Sequence, residues 1–139
     1  AGKSQRRPGI HTEGHPDGGW GGGWGRGGNG RQGLYMASTA HQTCRAWDMH
    51  VDEPGLMGDC EHLRPVLEKT RDILFRAGQI YWIHDRTPHE SLPALEQTYR
   101  QWFRLVTSPV DLWYKEHSTP NPLVDLPQTV RVIDTNKFN

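Results

Sequence analysis

Thirteen of the sixteen glycines in this 139-residue chain precede Leu34. Between residues 18 and 28 glycine is interrupted only by Trp20, Trp24 and Arg26, so two indoles are all that this run can bury. Glycine also loses the most backbone entropy on ordering. Residues 1–33 are therefore expected to be a Gly/Trp-rich arm or long loop. The core must come from the remainder of the chain, with 34–126 as the folded domain and 127–139, which begins at Pro127, as a tail.

The length allows one domain. Sixteen Lys and Arg balance sixteen Asp and Glu, so no net field draws the chain to nucleic acid or to an anionic membrane. No apolar run approaches the ~20 residues of a transmembrane segment, and Ala1 to Pro8 lack the apolar stretch of a secretory signal. A soluble protein is expected, with its compartment unspecified. Two cysteines, Cys44 and Cys60, are too few for a disulfide scaffold. Trp20, Trp24 and Arg26 among glycines resemble segments that stack on single-stranded nucleic acid. A single Arg-Gly-Gly step in a neutral chain is better read as indoles pinning the arm to a domain or partner.

After Leu34 the pattern is β-rich with one helix. Residues 38–51 read as a strand or strand pair, ended by Asp52-Glu53-Pro54-Gly55. Pro65 suits a helix first turn. Val66, Leu67, Thr70, Ile73, Leu74 and Ala77 then recur at helical spacing, predicting a helix over 64–77 that Gly78 ends. Residues 79–84 are apolar on both faces, as in a strand covered on both sides. Residues 85–97 read as a loop, 98–107 as a strong strand, and 110–114 and 129–133 as shorter extended segments. Trp47, Trp82, Trp102 and Trp113 fall in strand-like stretches and are expected in the core.

The chemistry is concentrated between Ala77 and Val106. A glycine turn at Gly78 precedes the strand Ile80-Tyr81-Trp82-Ile83-His84, then come Thr87-Pro88-His89, and Arg100 lies eleven residues after His89. A neutral imidazole suits divalent iron, and a planar guanidinium grips a carboxylate through two parallel hydrogen bonds. If strands carrying His89 and Arg100 were antiparallel neighbours, both side chains could face one cavity.

This window resembles the C-terminal half of the iron(II)/2-oxoglutarate oxygenases. The resemblance implies a mainly β fold, a double-stranded β-helix of the jelly-roll or cupin-like kind, complete or lacking its front. It implies His89 as the distal metal ligand and Arg100 as the clamp on the far carboxylate of 2-oxoglutarate, with Arg104, on the same strand face, as the substitute clamp. It also implies an upstream His-x-acid pair to complete a facial triad on Fe(II). Two pairs fit: His11-Thr12-Glu13 and His15-Pro16-Asp17, 78 and 74 residues before His89. The second has the commoner acid, but Pro16 removes a backbone donor from a would-be strand. The activity implied is hydroxylation of an unidentified substrate, with Ser91, Tyr99 and Trp82 as guesses for the pocket lining.

Each of these residues also has a plainer role. His89 could be a polar loop residue, Arg100 a surface ion-pair partner, and His11, Glu13, His15 and Asp17 part of a solvated arm, where ligands would be poorly preorganised. His84 and Asp85 point to opposite faces of a strand and chelate badly. His41, Cys44, Cys60 and His62 could form a tetrahedral zinc site, but the Cys60-His62 spacing is tight and His41 and Cys44 would face apart on a strand. The functional rival is a catalytically silent β-helix relative, a structural or adaptor subunit holding a larger assembly through arm and tail.

Overall fold

The structure is a computed structural model and describes residues 7–13, 32–94, 96–107 and 112–134. Eight strands carry the fold: β1 (Gly33–Ser38), β2 (Cys44–Trp47), β3 (Asp72–Leu74), β4 (Ile80–His84), β5 (His89–Ser91), β6 (Trp102–Val106), β7 (Leu112–Tyr114) and β8 (Arg131–Ile133). Between β2 and β3 the chain makes two 3-10 turns, Leu56–Gly58 and Glu61–Leu63, and one short helix, α1 (Arg64–Leu67). The chain is mainly β, built of small antiparallel sheets. One has the order β4-β1-β6 and the other β3-β2-β5, while β7 and β8 form a separate parallel pair. No helix among the described residues is long and apolar enough to cross a membrane.

Side chains alternate across a strand, and that alternation builds two cores. Leu34 and Met36 of β1 and Ile83 of β4 meet Cys44 and Ala46 of β2 and Phe75, so the two sheets pack face to face. The opposite side of the second sheet has its own core. There Trp47 packs with Ile10, Val51, Cys60 and Leu67, and its indole N–H donates to the Leu67 carbonyl at 3.0 Å. Residues 10–13 extend the second sheet. His11 exchanges both backbone hydrogen bonds with His89, at 2.9 and 3.0 Å, and bridges Asp59 on its other side. Thr12 N–H donates to the Gly58 carbonyl and Glu13 N–H to that of Asp85.

Several expectations are corrected. The helix stops at Leu67, and residues 72–74 pair with β2 as β3, with Arg45 opposite Leu74. The Thr70 hydroxyl and N–H both return to the Leu67 carbonyl and close the helix, while the open edge of β2 recruits residues 72–74. Helical spacing of apolar residues could not register that edge. Residues 38–51 are split by a turn containing Gln42 at φ 52°, so β1 and β2 lie in different sheets. Strand β4 is covered on one side only: Ile80 is 68% and Trp82 44% exposed, so Trp82 is not a core residue. The segment 85–97 includes β5, and the strand expected over 98–107 is regular only over β6. Residues 7–13 are not a solvated arm, because Ile10 and Thr12 are each 1% exposed. Gly33 is likewise a strand residue. Residues 1–6, 14–31 and 135–139, most of the predicted arm and the end of the predicted tail, lie outside the described residues.

One glycine is required by packing. A methyl group on Gly33, paired with His84 in β4, would lie 2.3 Å from the Ile83 carbonyl oxygen and 2.7 Å from the Trp82 ring. Gly33→Ala is expected to destabilise the chain by about 1–3 kcal/mol through overpacking. The shift should appear in the urea midpoint with an unchanged slope. An unshifted midpoint would mean that β1 and β4 do not approach so closely.

Candidate metal centre

The sequence spacing His-x-Glu becomes a chemical feature once residues 10–13 run extended beside β5. Positions 11 and 13 then share one face and 10 and 12 the other. Ile10 and Thr12 are buried on the outer side of the sheet. His11 and Glu13 project inward, beside His89 of the paired β5. Their ligand atoms, one from each of His11, Glu13 and His89, all lie within 4.8 Å of one another. The His11 and His89 rings are 4.5 Å apart, and Nε2 of His89 is 3.3 Å from Oε1 of Glu13.

Both imidazoles are oriented in the same way. Nδ1 of His11 lies 2.8 Å from the Gly9 carbonyl oxygen, and Nδ1 of His89 lies 3.0 Å from that of Thr87. A carbonyl can only accept, so each Nδ1 carries a proton and donates it two residues back. That leaves Nε2 as the metal-binding nitrogen of each ring. Nδ1 hydrogen-bonded to a carbonyl is the outer-shell arrangement that fixes histidine ligands.

Electrostatics favours a cation between these groups. Burial, reinforced by the neighbouring His89, lowers the His11 pKa to about 3, so His11 is a neutral ligand at neutral pH. Burial alone would raise that of Glu13, but the hydrogen bond with His89 and the Arg104 guanidinium outweigh it and hold the carboxyl at about 2. An ionised carboxylate 3.3 Å from Nε2 of His89 requires a proton or a metal ion between them. Two imidazoles and one carboxylate, grouped on one side, suit a first-row divalent ion with positions left open.

Arg104 of β6 enters from the other sheet and pairs with Glu13 Oε2. Its Nε is buried and has no hydrogen-bond partner among the described residues. Arg100 donates from Nε to the Ser38 hydroxyl at 2.9 Å, and burial lowers its pKa. Arg104 is therefore the arginine at the triad, and Arg100 lies toward Ser38. Strands β5 and β6 are not neighbours, since β5 pairs with β2 and β6 with β1. Arg104 and His89 approach across the space between the sheets instead of within one sheet.

His15 and Asp17 lie outside the described residues. His41, Cys44, Cys60 and His62 are not assembled; the only three-residue metal-binding group among the described residues is the His11, Glu13, His89 set. Cys44 and Cys60 are free, buried thiols in different cores. Burial raises their pKa values to about 12 and about 11, so both stay protonated at neutral pH. His84 stacks on His50, with centroids 4.4 Å apart, and Asp85 is fully buried. Tyr99 is 97% exposed, and with the exposed Trp82 it is unsuited to lining an interior pocket. A cavity of about 400 Å³ lies beside β2 and β3, bounded by Trp47, Asp48, Met49, Thr70, Arg71 and Ile73, and includes no triad residue.

The ion-pair network behind the triad escaped sequence reasoning. Glu90, next to His89, is buried and held by Arg45 and Arg64. An acid beside a candidate ligand in an otherwise buried strand was the available signal, since its side chain must find cations on the opposite face. No protein-family model, curated protein or solved structure matches this chain.

Proposed function

We propose that this chain is an iron(II)/2-oxoglutarate-type oxygenase module in which His11, Glu13 and His89 hold the metal. The observation that carries the reading is the convergence of these three side chains, with both Nδ1 atoms committed to carbonyls and Nε2 of His89 3.3 Å from the Glu13 carboxylate. A ferrous ion there would supply the oxidative chemistry, hydroxylation of a substrate whose identity is open. The chain's own residues orient the two rings, keep Glu13 ionised through Arg104, and separate the centre from solvent by two packed sheets.

Strand order supports the double-stranded β-helix. The β1–β2 ribbon lies between the β3–β4 and β5–β6 ribbons, and the chain crosses repeatedly between the two sheets. Residues 10–13, bridged to β5, add a seventh extended segment to the two sheets, which is in keeping with a jelly roll.

Arg100 is assigned the far carboxylate of 2-oxoglutarate. It lies two residues before β6, roughly 13 Å from Arg104 at ~3.3 Å per extended residue. With Arg104 committed to Glu13, Arg100 is the freer cation, and its bond to a neutral hydroxyl can be exchanged for one to a carboxylate. Arg104, with its spare buried Nε, remains the substitute.

The test is a titration of the Mn(II)-loaded full chain with 2-oxoglutarate, followed by tryptophan fluorescence and melting temperature. Arg100→Ala should leave metal binding intact and weaken the co-substrate by about 10- to 150-fold, the equivalent of about 1.5–3 kcal/mol for a charged hydrogen bond. No response from the wild-type chain at millimolar 2-oxoglutarate would overturn the reading. It would favour a second one, which has its own observation. Both oxygens of Glu13 are already met by protein groups, Arg104 and His89. Such a network can stand as a buried ion pair in a catalytically silent structural or adaptor subunit.

A further inference from the structure

We propose that Arg64 is a positioning residue that locks the two ligand-bearing strands at one separation and so sets the metal centre's affinity without touching it. The inference rests on the metal-binding reading of His11, Glu13 and His89.

Those ligands come from distant parts of the chain, and the ladder between them is short. Residues 10–13 meet β5 through the two hydrogen bonds of the His11–His89 bridge. Cys60 N–H to the Ile10 carbonyl, Thr12 N–H to that of Gly58 and Glu13 N–H to that of Asp85 hold the flanks of the segment. A further link between this segment and β5, made by side chains, lies on the opposite face of the sheet.

The guanidinium of Arg64 forks onto Glu61, with Nε to Oε2 at 2.7 Å and one terminal nitrogen to Oε1 at 2.6 Å. Glu61 Oε1 in turn accepts the Ile10 backbone N–H at 2.7 Å. The same terminal nitrogen of Arg64 reaches Glu90 Oε2 at 2.8 Å. Ile10 precedes His11 and Glu90 follows His89, so Arg64 is tied to the chain one residue from each histidine ligand. Glu90 has only 6% of its side chain exposed and is shared with Arg45. This makes it a stiff anchor. Pro65 fixes the start of α1, and Leu67 at its far end lies in the Trp47 core, so the arginine projects from a fixed platform. A planar fork is what holds two carboxylates in one plane, and lysine cannot reproduce it.

The full chain should be titrated with Co(II), whose visible absorption reports coordination geometry, in wild-type, Arg64→Lys, Arg64→Gln and Glu68→Gln forms. Arg64→Lys keeps the charge and loses the fork; it should weaken Co(II) binding by about 10- to 100-fold, as loss of an outer-shell partner does, and alter the absorption bands. Arg64→Gln removes a positive charge, which by Coulomb's law alone would tighten cation binding. Positioning requires that it weaken instead. Glu68, which touches Arg64 from the solvent side, should leave affinity within about twofold when changed to Gln. A merely structural role would lower the melting temperature of the metal-free protein but leave the spectrum and affinity of the folded fraction unchanged. That result, or tighter binding by Arg64→Gln, overturns the proposal while the metal centre stands. Absence of Co(II) binding by the wild-type chain removes the metal centre and this inference with it.

Discussion

If His11, Glu13 and His89 hold a metal, divalent ion at one hundred times its dissociation constant is expected to stabilise the wild-type chain by about 2.7 kcal/mol, and His89→Ala to lose all of that gain. At this chain length the gain corresponds to roughly 10 °C in melting temperature. His89 is the one ligand from β5, whereas His11 and Glu13 share a strand. Without it the remaining donors come from one short segment and cannot close around an ion. Glu13 keeps its Arg104 partner in the variant, so the metal-free protein should still fold. Differential scanning calorimetry with and without Mn(II) makes the comparison. A variant that still gains the full shift would exclude His89 as a ligand.

Trp47→Ala is expected to remove about 3–5 kcal/mol, the usual range for deleting a buried aromatic. Stabilities of single domains are about 5–15 kcal/mol, so much of the total is at stake. Trp47 is 1% exposed and fills the core that Ile10, Val51, Cys60 and Leu67 complete. Its loss also removes the surface against which Ile10 packs, so metal binding should weaken with stability. Trp47→Phe should recover most of the loss, because Leu67's carbonyl retains the Thr70 N–H and hydroxyl when the indole is gone. Tyr99→Ala, at an almost fully exposed position, should stay within about 0.5 kcal/mol. Urea unfolding monitored by far-UV circular dichroism measures all three. Equal midpoints for Trp47→Ala and Tyr99→Ala would mean that the second core contributes nothing.

These two residues show how unevenly the sequence could be read. Strands β2, β4 and β6 announce themselves through aromatic, β-branched and apolar residues, whereas β1 was not legible before its pairing with β4 and β6. The turn signals at Pro54-Gly55 and Gly78 were also local. Strand β3 was hidden, since Ile73 and Leu74 fit a helical stripe as well as an edge strand, and pairing with β2 decided between them. At the site, the family resemblance implied His89, with His11-Glu13 as one of two upstream pairs and Arg104 only as the substitute clamp. The preference of His11-Glu13 for the core was not legible. Residues 7–13, beside a glycine-rich run, read as part of an arm, because burial of Ile10 depends on Trp47 and Leu67, far along the sequence.

Local chemistry thus determined the mainly β character, the residue types able to hold a cation, and the period-two spacing that puts His11 and Glu13 on one face. Tertiary structure alone decided that this short segment joins β5, that Arg104 and not Arg100 meets the carboxylate, and that Arg64 ties the back of the centre. Spacing along a chain constrains which side chains can share a face. Which faces meet is set by hydrogen-bond ladders and buried apolar area between segments dozens of residues apart, and those terms have no local signature.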